Sequence, residues 1–187
     1  MAIQYRLPGL LPPEPADPCR LGPGHALWSF PHVAAETLCA QANLLGCAGE
    51  ALVDSLLLRH GLIPLAVPAG LAVDRVVIHP GGSFRLQIKT TATRREDGYA
   101  INAERGYRGS PQGRRDYEAD DYDMLAIVAL PDDVVRFTTD VRPRHRIFLS
   151  EIAGLRADPR ASLEAALIRI GLDPDGDDAD LQPPRAA

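Results

Sequence analysis

The chain has 187 residues, 45% of them hydrophobic, which is enough to bury one core and too few for two large ones. Its formal charge of -5 argues against a protein that coats nucleic acid indiscriminately, because counterion release needs many cations facing phosphate. No apolar run is long enough to span a bilayer, and the first residues lack the basic patch and apolar block of a secretory leader, so a cytoplasmic protein with no membrane partner is expected.

Residues 1–31 are punctuated by Pro12, Pro13, Pro15 and Pro18 and carry no helical or strand period, which predicts an extended arm that Leu27, Trp28 and Phe30 could pin by apolar contact. Residues 32–150 hold the patterned part of the chain. Val33–Leu45 and Ala48–Arg59 have apolar residues at helical spacing, broken at Gly46 and closed by His60-Gly61; two short helices and one kinked helix fit equally well. Short apolar runs follow at Leu62–Val67 and Leu71–Ile78, then the turn Pro80-Gly81-Gly82, then Ser83–Thr91, which together predict a hairpin. In its second strand Phe84, Leu86 and Ile88 face one way and Arg85, Gln87 and Lys89 the other.

Tyr99–Asn102 is expected as a further strand and the basic stretch after it as a loop. Met124–Leu130 is expected as a buried strand paired to Val134–Thr138 across Pro131-Asp132-Asp133. Residues 151–187 turn helical, with Leu163, Leu167 and Ile170 at amphipathic spacing, and end in an acidic tail after Gly171. The predicted class is α/β, a mixed central β-sheet flanked by helices.

Cys19, Cys39 and Cys47 are odd in number and lack the short pairing of zinc or redox sites, so they read as small apolar residues in a reducing compartment. The five histidines have no ligand-like spacing. Of the 20 basic residues every one is arginine except Lys89, which marks a place where a compact ammonium is needed and a planar guanidinium would not fit. Arg94, Arg95, Arg105, Arg108, Arg114 and Arg115 crowd one stretch and form a natural phosphate-contacting surface, with Tyr99, Tyr107 and Tyr117 available to pack on sugars or bases. Asp120, Asp121 and Asp123 read as caps at a strand entry rather than as metal ligands.

Hydrolysis of a phosphodiester calls for a divalent cation, so oxygen ligands must converge beside the scissile phosphate. The hairpin supplies them: Asp74 from its first strand, the Gln87 side-chain carbonyl and the Ile88 backbone carbonyl from its second, with the Lys89 ammonium two residues on to orient water or offset charge. Gly49-Glu50, His60-Gly61, Val73-Asp74-Arg75 and Leu86-Gln87-Ile88-Lys89-Thr90 resemble the PD-(D/E)XK nucleases of the restriction-endonuclease-like fold. Tyr117, Asp120-Asp121-Tyr122-Asp123 and Val135-Arg136-Phe137 resemble the closing elements of that core. The likeness covers about half of the chain and is nearest to group I intron homing endonucleases and Holliday-junction resolvases.

It implies a restriction-endonuclease-like core acting as a metal-dependent DNA endonuclease, with Mg2+, replaceable by Mn2+, held by Asp74, Gln87, Ile88 and Glu50, and a catalytic role for Lys89. Val73 stands where the family has proline, and Gln87 where it has an acidic residue, as in the group I intron branch. RNA remains open as a substrate, and a homodimer is plausible by analogy with enzymes that cut two strands. The rival reading is a nuclease-fold DNA-binding or protein-interaction subunit without turnover.

Overall fold

The computed structural model describes residues 27–68, 70–106 and 113–173. The proline arm up to residue 26, with Cys19 and His25, lies outside them, as do Tyr107, Arg108 and the acidic tail from residue 174. Two compact units divide the chain, residues 1–41 and 42–187. In the first, Leu27–Phe30 form a short turn in which the Phe30 N–H donates to the Leu27 carbonyl at 2.8 Å, and α1 (Ala35–Ala40) follows.

The second unit begins with α2 (Ala42–Arg59), whose buried residues Leu45, Gly49, Val53, Leu56 and Leu57 recur every three or four positions along one stripe. The predicted break at Gly46 is absent: the glycine lies inside α2, and the helical run is interrupted at Gln41 instead. One glycine in a helix costs little once a buried stripe continues through it. At the far end Gly61 takes φ +76, its N–H donates to the Leu58 carbonyl at 3.1 Å and that of Leu62 to Leu57 at 3.0 Å, the left-handed glycine stop anticipated at His60-Gly61.

Then come β1 (Ile63–Ala66), β2 (Arg75–His79), β3 (Gly82–Thr91), β4 (Gly98–Asn102), β5 (Glu104–Arg105), β6 (Arg115–Asp116), β7 (Met124–Ala129), β8 (Val134–Thr138) and β9 (Arg144–Phe148). Five of these make a mixed sheet in the order β1-β2-β3-β7-β8, with β3 and β7 parallel and the other pairs antiparallel. The molecule is therefore mixed α/β with a central mixed sheet flanked by helices, as expected.

β7 is buried along its whole length, which fits a central strand covered on both faces. β1 is the exposed edge and carries Pro64, where a missing N–H is harmless. β8 pairs with β7 as predicted, although the intervening Leu130–Asp132 winds into a 3-10 turn and not an open hairpin loop.

β9 was not foreseen; it pairs with β4 in a separate ribbon. One core cluster gathers Tyr99 and Ile101 of β4, Leu125 and Ile127 of β7, Ile147 of β9 and Ile152 of α3 (Leu149–Ala157). Helix α4 (Ala161–Arg169) packs on β8, where the Ser162 hydroxyl accepts from the Phe137 N–H at 3.1 Å. On the opposite face from the β4–β9 ribbon, α2 lies against β3 so closely that a Cβ on Gly49 would stand 2.0 Å from the Thr90 hydroxyl oxygen.

Candidate active site

Asp74 was expected on the first strand of the hairpin; it lies instead one residue ahead of β2. Arg75 faces Leu86 in the register, so beyond Leu86 the β2-facing edge of β3 has no strand beside it. The Asp74 carboxylate occupies that edge. Its Oδ2 accepts the Ile88 backbone N–H at 2.8 Å and the Gln87 Nε2 at 2.7 Å, while the Asp74 N–H donates to the Leu86 carbonyl at 3.0 Å. Ladder bonds that β2 would have made are thus made by a side chain, and both side-chain bonds fall on one carboxylate oxygen.

Gln87 is only 4% exposed, and its amide nitrogen also lies 3.3 Å from the Ile88 carbonyl. Within a strand the N–H and C=O of one residue point to the same edge, so that carbonyl faces the Asp74 side as well. Lys89, on the Gln87 face of β3, donates from Nζ to the Glu104 carbonyl at 3.0 Å and sits 5.1 Å from the centre of the Tyr117 ring. Tyr117 in turn meets Tyr122 edge to face, with ring centres 5.2 Å apart.

The charges here are strained by burial. Desolvation pushes the Asp74 carboxyl above its ordinary pKa, with Glu50 adding to the rise, while the Ile88 N–H, Lys89 and Arg75 oppose it. Desolvation also lowers the Lys89 pKa against the opposing pull of Asp74 and Glu104. Tyr117 is pushed up by burial and then by Asp74, so its hydroxyl keeps its proton.

Glu50 approaches from the other side of the sheet. Arg75 shares the Leu86 face that α2 covers, and its guanidinium bridges Glu50 at 3.1 Å and Asp54 at 2.8 Å while donating to the Asp74 carbonyl at 2.8 Å. Glu50 is thus committed to an ion pair, although its charge still reaches Asp74. Among the described residues no group of three or more His, Cys, Asp or Glu is placed to hold a metal. The oxygens gathered at this point are those of Asp74 and the Ile88 carbonyl, both facing the Gln87 amide nitrogen, and a turned Gln87 amide would add its own oxygen to a hard donor set that suits Mg2+ or Mn2+ better than a softer metal.

The predicted phosphate surface is partly spent within the molecule. Arg105 pairs with Asp121 at 3.2 Å and Arg114 with Glu104 at 3.5 Å, while Arg94, Arg95 and Arg115 are exposed. Tyr99 is fully buried with its hydroxyl on Asp132 at 2.7 Å, so it cannot pack on a nucleotide as expected.

Asp121 caps the Glu118 N–H at 2.9 Å, and Asp123 accepts from the backbone and side chain of Arg85, in keeping with their reading as caps. Cys39 and Cys47 are free and exposed, not core fillers: α1 buries none of its residues, and Cys47 sits off the buried stripe of α2. Sequence reasoning assigned no role to Arg75, Asp54 or the Glu104 carbonyl. Asp54 lies four residues from Glu50, on the same helical face, and that spacing is a signal for a shared cation. A main-chain carbonyl leaves no trace in residue identity.

The chain matches no protein-family model and no curated protein. Among solved structures it is similar to a bacterial homing endonuclease, at 17% identity over 56% of this chain and 76% of that one, with a TM-score of 0.49.

Proposed function

We propose that the chain is a metal-dependent DNA endonuclease of the PD-(D/E)XK type. The observation that carries this reading is the meeting of Asp74, Gln87 and the Ile88 backbone at one edge of β3, with the Lys89 ammonium on the Gln87 face. Asp74 and the Ile88 carbonyl would hold Mg2+ or Mn2+, the Gln87 amide would turn to present its oxygen in place of the nitrogen it now aims at both, and Glu50 could join if Arg75 released it. A cation bound there supplies Lewis-acid polarisation of a phosphoryl oxygen and a more acidic water. Lys89, fixed by Glu104 and shielded by Tyr117, presents a positive charge to the phosphorane and is oriented before the substrate arrives. Wild-type protein should nick supercoiled plasmid in magnesium or manganese, and Asp74→Ala should abolish nicking. Equal nicking by both would assign the activity to a contaminant.

A second reading, a nuclease-fold DNA-binding or interaction subunit without turnover, draws on a specific observation. Each prospective ligand already has an internal partner: Gln87 gives its amide to Asp74, and Glu50 gives its charge to Arg75. Calorimetry with manganese separates the two, since only the enzyme predicts saturable binding that disappears in Asp74→Ala.

A further inference from the structure

Arg75 faces two carboxylates on one face of α2, one more than its single charge needs, and its side chain is only 11% exposed. The two are not held alike. Asp54 takes the fork side on, from Nε to Oδ1 at 2.8 Å and from Nη2 to Oδ2 at 2.9 Å, whereas Glu50 has one contact, from Nη2 to Oε2 at 3.1 Å. Nη1 donates to the Asp74 carbonyl at 2.8 Å, so the guanidinium also ties down the main chain beside the site.

A bidentate pair is the stronger kind, and Glu50 is the more exposed of the two carboxylates. Opening a buried ion pair is costly chiefly because it strands a charge without a partner. If Glu50 leaves Arg75, no charge is stranded: Asp54 still occupies two of the guanidinium donors and the Asp74 carbonyl a third. If Asp54 is lost instead, Glu50 becomes the only counter-charge Arg75 has and is locked in place. Glu50 already acts on Asp74 through its charge, as like charges do at close range, and a divalent cation at Asp74 would turn that repulsion into shared attraction.

We propose that Asp54 is a positioning residue for the cation site: it holds Arg75 by itself, so that Glu50 is free to exchange its ion pair for the metal. The inference rests on the reading of Asp74 as a metal ligand and adds a release device to it. Arg75 stores Glu50 next to Asp74 in the metal-free protein, and Asp54 makes the release inexpensive.

The test titrates manganese by calorimetry into wild type, Asp74→Ala, Glu50→Gln, Asp54→Asn, Glu50→Gln with Asp54→Asn, and Asp54→Asn with Arg75→Gln, and records the melting temperature of each metal-free protein. Asp54→Asn should weaken manganese binding roughly tenfold. In the Glu50→Gln background the same change should cost little more, because the ligand it would have released is gone. Asp54→Asn with Arg75→Gln removes the guanidinium as well, frees Glu50 and should bind about as tightly as wild type; it strands no buried charge, so it decides the matter even where Asp54→Asn alone fails to fold. Metal-free Asp54→Asn should melt lower than metal-free Glu50→Gln, since the fork is the stronger tie. A residue that only props up α2 would lower the melting temperature without this dependence on Glu50. Wild-type manganese affinity in Asp54→Asn, strict additivity with Glu50→Gln, or binding in the Arg75→Gln pair as weak as in Asp54→Asn alone overturns the proposal and leaves Asp74 as a metal ligand. Wild-type protein that binds no manganese through Asp74 overturns both.

Discussion

Lys89 is the only lysine in the sequence, and its surroundings give a reason for that. Its ammonium fits between the Glu104 carbonyl at 3.0 Å and the Tyr117 ring at 5.1 Å, a gap matched to a compact head and not to a planar fork. Lys89→Arg should therefore lower plasmid nicking about as much as Lys89→Ala, on the order of a hundredfold or more, the loss usual for one preorganised electrostatic group. Wild-type nicking by Lys89→Arg would refute the fit.

Gln87 offers the complementary test. Its amide donates to Asp74 at 2.7 Å, so Gln87→Glu would replace a hydrogen bond by two carboxylates at contact distance and should lower the melting temperature of the metal-free protein. Manganese should then raise that temperature by more than it does in wild type, because the added anion becomes a ligand. Equal shifts in the two proteins would mean that position 87 does not meet a cation.

The element that sets the site's depth is α2. Gly49 lets the helix approach β3 until only a hydrogen fits against Thr90, and the same approach brings Glu50 and Asp54 to Arg75. Gly49→Ala should cost about 1–3 kcal/mol in chemical denaturation despite alanine's better helix propensity, since the new methyl overlaps the threonine side chain. Combining it with Thr90→Ala should recover part of the loss, and strict additivity in that double-mutant cycle would show that the two positions do not compete for space.

Strand faces were legible because period two is a local property: the alternation of Phe84, Leu86 and Ile88 with Arg85, Gln87 and Lys89 holds along β3. β9 escaped notice although His145 and Ile147 alternate as buried residues between exposed arginines, a pattern masked by its low apolar content.

Across the second unit, the buried His145 and the half-exposed Asp123 both work against stability in acid, while the raised Asp74 carboxyl works for it. Burial, followed by the nearby Arg142 and Arg136, holds the His145 pKa below the ordinary 6.5 against the opposing pull of the Arg142 carbonyl and Asp140. The unfolded chain therefore takes up this proton first, so stability should fall as pH drops below about 6.5 toward the folded value. Asp123 acts lower on the scale. Its bonds from Arg85 depress its pKa, so its contribution is present above about 3.9 and lost as pH falls through the folded value. Urea unfolding across this range should show the upper limb flattened in His145→Gln and the lower limb flattened in Asp123→Asn. An unchanged slope between pH 6.5 and 5 in His145→Gln would place the upper limb elsewhere.

From sequence alone followed the α/β class, the hairpin, the β7–β8 pair and the residue types a hydrolytic centre would need, because hydrophobic period, turn glycines and lone residues are written locally. Tertiary structure decided what those residues touch. It set Asp74 outside β2 as the cap of an open strand edge, engaged Glu50 with Arg75, buried Tyr99 and paired Arg105 and Arg114 with carboxylates. These outcomes depend on side chains and carbonyls far apart in the chain, whose meeting is fixed by the close approach of α2 to β3 and by the long crossover from β3 to β7. No local pattern encodes such distances.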